Sequence, residues 1–374
     1  MTKVVVSEAR VRDDLRSVRS FEVGLLLGHA ASMDVIVIHV PTPPENAARA
    51  ASRLADVSVD WMSAHAKSVL CMLPGGIDCL GLYVVTTEDP HALLPCYMCA
   101  LQAIVGSTTD GLYMLCVSPT SSTMTSKRFQ APSSFVEARL QWQSVDGLLR
   151  RYEAAVRIDV RLPSLEPAAL LAHVAPLLTH AIPVAGRDPG RVHFLERVST
   201  NDLSAVAAAT RPSTSPCRGL HLEGSVTCLA YALESAPLGD ALRSDFERTM
   251  ARRVALLESD MNDVSSCRRT WPGDHPRNVA VARRAQFRWP RSGFLTGNVH
   301  LFTDDDLSDS AHAIAELLTS PTPVGLQWVE NEASLLVTNK QPSRTTPRVR
   351  AWHPSLFLAL FAAVVATLVA CCVN

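Results

Sequence analysis

Apolar positions along this chain change period several times, and each change marks an element. Phe21–Gly28 (FEVGLLLG) and Val35–Val40 (VIVIHV) are apolar runs of strand length joined by the turn-forming HAASMD, which predicts a hairpin. Pro41–Pro44 ends the second strand, because proline has no N–H to give to a ladder. A short strand at Lys3–Val6 and a charged helix over about Ser7–Arg16 precede the hairpin. Downstream, Trp61, Ala64, His65, Ser68, Val69 and Met72 recur at helical spacing behind Asp56 and Ser58, residue types that cap helix N-termini. Pro74-Gly75-Gly76 stops that helix in a tight turn that requires positive φ. Ile77–Thr86 reads as a buried strand, Pro90–Val105 as a helix and Gly111–Val117 as a strand. Met124–Gln130 and Val136–Trp142 read as a further strand pair.

A second block opens near Tyr152. Ala154–Leu162 alternates apolar and polar residues, as a half-buried strand does, and Leu165–His180 has a helical period. Residues 182–216 and 262–284 read as polar excursions. Between them lie a strand-like run, Leu220–Leu233, and an amphipathic helix, Gly239–Asp260. Gln286–Trp289 and Val299–Phe302 are strand candidates, and Ser308–Leu318 is a last helix. From Ser320 to Trp352 the chain turns polar and basic, interrupted by SLLV at 334–337, and reads as a tether. The expectation is an α+β protein with a first domain over 1–150, a second smaller domain with long loops over 151–319, a flexible basic linker over 320–353 and a transmembrane tail anchor over 354–373.

The anchor rests on Ser355–Val373, SLFLALFAAVVATLVACCV, which holds no charge, glycine or proline. As a helix it would reach roughly 28 Å, close to the thickness of a bilayer's hydrocarbon core. Ser355, Leu356, Phe357, Leu358, Leu360, Phe361, Val364, Val365, Leu368 and Val369 are the residues expected to form the membrane anchor. The N-terminal MTKVVVSEARVRDDLRS lacks a signal-peptide core. Lys340, Arg344, Arg348 and Arg350 precede the apolar segment, and basic flanks favour the cytosolic side. A single-pass tail anchor with a cytosolic N-terminal body is therefore expected.

Charge narrows the partners. With 35 basic and 36 acidic side chains the net charge is −1, and no basic run is interleaved with aromatics, so no nucleic acid is expected and proteins are. The 10 cysteines are scattered, several inside apolar runs, which reads as reduced thiols rather than a disulfide framework. Cys96-x-x-Cys99 has no second pair to complete a zinc site, and its helix suggests both thiols fill the core beside Leu93 and Ala100. A thioredoxin-like role would need the pair at a helix start after a strand. His29, His39 and His65 are three imidazoles that could meet, although separate hydrogen-bonded roles are the simpler reading. Asp304-Asp305-Asp306 precedes a helix and lacks the spacing of an EF-hand, so capping is expected.

The spacing of FEVGLLLG, VIVIHVPTPP, the Trp61 helix, LPGG and CLGLYVVTT resembles the MPN fold of deubiquitinating metalloproteases and their inactive relatives. In that resemblance Glu22 matches the glutamate ahead of the GLLLG-like strand. The His-x-His pair that should follow Gly-x-Tyr falls on Val84 and Thr86, and the Ser-x-x-Asp is missing. A hydrolytic zinc needs three protein ligands and an open water position, which Glu22 alone cannot supply. The resemblance thus implies an inactive, MPN-like domain with degenerate metal positions at Glu22, Val84 and Thr86, no catalytic residue, no metal and no cofactor.

FEVGLLLGHAASMDVIVIHVPTPPE followed by VDWMSAHAKSVLCMLPGGIDCLGLYVVTT resembles the Odr-four family more closely. Leu140–Gln143 with AAVRIDVRLP, and then LHLEGSVTCLAYALES, resemble that family's later regions. The resemblance implies a non-enzymatic adaptor in the endoplasmic reticulum membrane. It would assist folding and trafficking of odorant-type G-protein-coupled receptors. It would also hold a cysteine protease specific for the ubiquitin-fold modifier at that membrane. Two other readings compete with it: a membrane-tethered MPN-type metallohydrolase with an altered metal site, and a chaperone acting on membrane clients through its terminal helix and SLLV.

Overall fold

The FEVGLLLG–VIVIHV hairpin forms the middle of an eight-stranded mixed sheet. The structure, a computed structural model, describes residues 5–339 apart from 47–49, 90–92, 106–110, 122, 131–133, 163–194, 198–219, 237, 266–278, 330–331 and 333–335. The Leu165–His180 helix, most of the 182–216 excursion, the rest of the tether and the anchor residues Ser355–Val369 lie outside these. Among the described residues no helix is long and apolar enough to cross a membrane.

In the first half, β1 (Val5–Glu8), α1 (Ala9–Ser17), β2 (Glu22–His29), β3 (Asp34–Pro41), α2 (Val59–Leu70), β4 (Asp78–Val85), α3 (Leu94–Val105) and β5 (Tyr113–Val117) follow in order. Then come β6 (Met124–Gln130), β7 (Ser134–Glu137) and β8 (Leu140–Gln143). The strands order as β7-β6-β5-β4-β2-β3-β1-β8. The expected strand Val136–Trp142 is in fact two strands that end on opposite edges of this sheet. Only Ala138 and Arg139 separate them, so the sheet must curl until its edges approach. The reason is that β8 finds its hydrogen bonds on β1, in parallel register Val5↔Leu140, while β7 stays on β6.

Each face of the sheet has its own helix. Val11 and Leu15 of α1 pack with Leu26, Ile36, Tyr83, Val85 and Leu115 on one side. On the other, Met62, Ala66 and Val69 of α2 and Met98 and Leu101 of α3 cover Val23, Leu25, Leu82 and Val84. Ser58 caps α2 by accepting from the Trp61 N–H at 3.3 Å.

The second half is built on β9 (Leu149–Leu162) and β11 (Leu220–Leu233), a long antiparallel pair. The short β10 (Leu195–Arg197) pairs with β9 inside the stretch read as a polar excursion. α4 (Leu238–Ser265) lies on β11, with Phe246, Met250 and Val254 buried. β12 (Val279–Ala280), β13 (Arg283–Arg288), β14 (Thr296–Leu301), α5 (Leu307–Leu317), β15 (Gln327–Trp328) and β16 (Leu336–Asn339) complete it.

Two expectations change here. The loop read over 262–284 is shortened from both sides, because α4 runs on to Ser265 and β12 and β13 begin within it. The tether read from Ser320 supplies β15 to β13 and β16 to β11 and β12. Its Glu332 is fully buried and accepts from Arg253 Nη2 at 2.5 Å, Arg284 N at 2.8 Å and Thr227 N at 3.1 Å. Beside it Arg284 Nη2 donates to Asp245 Oδ2 at 2.7 Å and to Thr249 Oγ1. A polar composition predicts a solvated tether, but ion pairing satisfies these charges inside the core.

The halves share one core. Leu229, Tyr231, Phe287, Trp289 and Ile314 pack in the same apolar cluster as Met62, Ala66 and Leu25. Gly75 joins them through the backbone, donating to Leu229 O and accepting from Tyr231 N, both at 2.8 Å. At Gly76 φ is +77°, and a Cβ there would lie 2.0 Å from the Tyr231 carbonyl oxygen, so glycine is required on both counts. Arg248 of α4 adds bonds to Ile77 O and to Asp78 Oδ2 at the start of β4.

Candidate functional site

Glu22 opens β2, opposite Val85 of β4. Two residues on, Gly24 faces Tyr83, and an added Cβ there would lie 2.8 Å from the tyrosine ring and 2.2 Å from the Val40 carbonyl oxygen. The glycine therefore lets the ring lie across the strand, and Tyr83 Oη donates to Glu22 Oε1 at 2.8 Å. Burial first, and then the Glu22 carboxylate, hold the phenol well above its usual range, so it stays a donor.

A bulge brings His39 to the same place. Leu27 pairs with Ile38 but Gly28 pairs with Ile36, so Val37 is inserted and the facing of the strand reverses beyond it. His39 then stands opposite Leu26 and meets Tyr83 edge-on, ring centres 5.4 Å apart. Arg291, from the turn after β13, donates Nη1 to His39 Nε2 at 3.0 Å. A guanidinium can only donate, so Nε2 accepts and the ring is neutral. Burial, with the Arg291 charge beside it, drives the His39 pKa down to about 3. Arg291 holds a positive φ of 65°, uncommon for a side-chain-bearing residue. Asp14 of α1 also lies in its field; burial raises that carboxyl and Arg291 opposes the rise.

The positions matched to a metal site do not converge. Val84 is fully buried on the α2–α3 side, the opposite face from Tyr83 and Glu22. Thr86 lies just beyond β4, where its N–H donates to Val117 O and its Oγ1 accepts from Glu88 N. The three imidazoles stand apart. His29 Nδ1 bonds Gly76 O at 2.6 Å. His65 bridges Thr42 Oγ1 and Leu317 O at 3.3 and 3.1 Å, and burial lowers it to about 4. Among the described residues no three of His, Cys, Asp and Glu gather to hold a metal.

Beside Glu22 opens a cavity of about 450 Å³, with Phe21, Pro43, Pro44, Val57 and Trp61 as apolar walls and Glu22, Glu45 and Asp56 as acids. Trp61 Nε1 donates to Pro43 O at 2.8 Å, which fixes the Pro-rich wall against the start of α2. Such a cleft can bind an extended segment that brings apolar and basic side chains.

Two further readings resolve differently. Asp306 caps α5 by accepting from Ser308 N at 2.6 Å, with Asp309 in the first turn, as the sequence predicts. Cys96 and Cys99 are exposed, not in the core. α3 buries Leu94, Tyr97, Met98 and Leu101, spaced i, i+3, i+4, i+7, which leaves both thiols on the outer face. Sequence reasoning placed Glu22 and Tyr83 but missed Arg291 and the bulge. A Trp-Pro-Arg-Ser-Gly turn marks where Arg291 bends, but nothing local says that it reaches another sheet.

Residues 24–182 match the family model ODR4-like, Odorant response abnormal 4-like. The human Protein odr-4 homolog is 35% identical over 77 residues, covering 19% of this chain and 17% of that protein. The Mus musculus homologue is 30% identical over 99 residues, covering 24% and 22%. The chain thus matches less than a quarter of these relatives' length. The crystal structure of UfSP from C. elegans aligns over 87% of this chain and 58% of that one, at 11% identity and a TM-score of 0.43. Over residues 24–182 the chain is thus similar to the ODR4-like family.

Proposed function

We propose that this chain is a non-enzymatic adaptor for folding and trafficking of odorant-type G-protein-coupled receptors, held at the endoplasmic reticulum membrane by residues 354–373 with its body in the cytosol. Its ODR4-like domain has an MPN-like architecture and is the docking surface for a cysteine protease specific for the ubiquitin-fold modifier. The observation that carries this reading is the ODR4-like match over residues 24–182. The state of Glu22 supports the non-enzymatic part: its carboxylate accepts from Tyr83, and Val84 lies buried on the other face of the sheet. The cavity beside Glu22 is the docking site, with Trp61 and Glu45 as its contacts.

Affinity purification of the full chain in mild detergent is the test. The modifier-specific protease and receptor clients should be retained, and Glu45→Arg with Trp61→Ala should reduce that retention. Undiminished retention would remove the cavity from the reading. Protease treatment of intact vesicles should digest the body, and a sheltered body would overturn the topology. Stoichiometric zinc in the purified chain, lost on Glu22→Gln, would replace the adaptor with a metallohydrolase.

A further inference from the structure

The β13–β14 ladder has two unlike faces. Phe287 and Val299 turn to the apolar core that the two halves share. Arg284 stands opposite His300, and Gln286 opposite Asn298, so these four side chains leave the other face together. That face lies under α4, because Arg284 Nη2 donates to Asp245 and Thr249 of the helix. Arg253, one turn beyond Thr249, enters the same layer and donates to Glu332.

A polar layer must be matched bond for bond once it leaves water. Arg253, Arg284, Asn298 and His300 are each exposed by 8% or less. The ion pairs use only Nη2 of each guanidinium. Among the described residues nothing bonds Nε and Nη1 of Arg253, Nε and Nη1 of Arg284, Nε2 of Gln286 or Nδ2 of Asn298, and all six nitrogens are buried. Each of them can only donate. The buried acceptors left to them are Asn298 Oδ1, Thr227 Oγ1 and one ring nitrogen of a neutral His300. The carboxylates are already engaged. Glu332 Oε1 accepts from Arg253 and Thr227 and its Oε2 from Arg284 N, while Asp245 Oδ2 accepts from Leu229 N and Arg284. A buried water does not settle such an excess, because each water that accepts brings two hydrogens of its own to place. An anion accepts on every side and donates nothing.

Charge points the same way. Burial first, and then the fields of Arg253, Arg284 and Arg252, push His300 well below its usual range, so its ring is neutral. Three guanidiniums thus act on this layer against the two carboxylates Asp245 and Glu332. One positive charge is left over.

We propose that the layer between α4 and the β13–β14 ladder is a binding site for one small monovalent anion, a halide such as chloride, held by Arg253, Arg284, Gln286 and Asn298. The enclosure of these side chains excludes an organic anion, whereas a single-atom ion needs little more room than a water. The ion takes the N–H groups that Asp245 and Glu332 leave over, and so completes the attachment of the Glu332 segment to α4.

The test is urea unfolding of the full chain in mild detergent, in mixtures of potassium chloride and potassium gluconate at constant ionic strength. Above the dissociation constant, each tenfold rise in chloride should raise the folded-to-unfolded ratio about 10-fold, the dependence for one ion per chain. Bromide should replace chloride. Asn298→Leu and Gln286→Leu each remove a donor and leave both ion pairs in place. Either variant should move the onset of that rise to at least about 10-fold higher chloride, the worth of a hydrogen bond to a charged group. A ratio independent of chloride would assign the spare donors to water and overturn the site. An onset unmoved in both variants would show that the ion binds elsewhere and overturn its place.

Discussion

Beneath α4 two arginines and two carboxylates are withdrawn from water together, with Arg253 on Glu332 and Arg284 on Asp245. On the α1 side of the first sheet His39, its pKa near 3, takes a hydrogen bond from Arg291, Tyr113 donates to the buried Asp34, and Tyr83 donates to a half-buried Glu22. In the first region every ion has a fixed counter-ion, so the arrangement holds β11, β13, α4 and the Glu332 segment in one register. In the second Glu22 stays half-buried, at the edge of the cavity that it helps to line. Among the described residues the fully buried ion pairs thus sit beneath α4, while Glu22, just ahead of the stretch that matches the family model, is held by Tyr83.

That contrast can be broken first at Glu332. Replacing it with alanine leaves Arg253 buried without its partner, and should destabilise the chain by about 3–5 kcal/mol. Urea unfolding reads this directly, and a loss comparable to that of a surface residue would mean that the ion cage does not hold the segment. The buried histidines on the two faces of the first sheet are tested by pH. His39 and His65 are depressed from 6.5 to about 3 and about 4, so the unfolded chain binds protons that the folded chain refuses. The stability they confer is complete above about pH 6.5. It falls by about 1.4 kcal/mol per pH unit for each ring as pH drops, until the folded-state values are reached. Urea midpoints between pH 7 and 5 should show the decline, and His65→Gln should flatten it; equal slopes in both proteins would assign the pH effect elsewhere. The smallest effect belongs to Tyr83→Phe, which removes the donor to Glu22 and should cost about 1 kcal/mol. A double-mutant cycle with Glu22→Gln isolates that bond, and a coupling near zero would leave the glutamate unheld.

Local signals were legible and pairings were not. The β2–β3 hairpin, the Ser58 cap and the Asp306 cap follow from turn and capping chemistry within a few residues. α4 follows from its apolar period. The split of Val136–Trp142 depended on which edge β8 would reach, information held in β1. β15, β16 and Glu332 were read as tether because their polar composition is matched by partners elsewhere in the chain. α3 misled for another reason. LPCYMCALQAIV is apolar on every side, so composition could not say which face was buried, and only packing against α2 assigned the cysteines to solvent. At the candidate site Glu22, Gly24 and Tyr83 were visible as a motif, whereas the bulge that turns His39 inward has no sequence marker.

The seam between β1 and β8 also constrains how the chain is made. β1 pairs with β3 soon after both are synthesised, but its other edge waits for Leu140–Gln143. At about 5–20 residues per second, that interval lasts on the order of ten seconds on the ribosome. Throughout it an apolar strand offers unpaired amides and carbonyls to any neighbouring chain. Nascent copies translated close together on one message are thus most prone to cross-pair at this edge, before the barrel-like curl has sealed it.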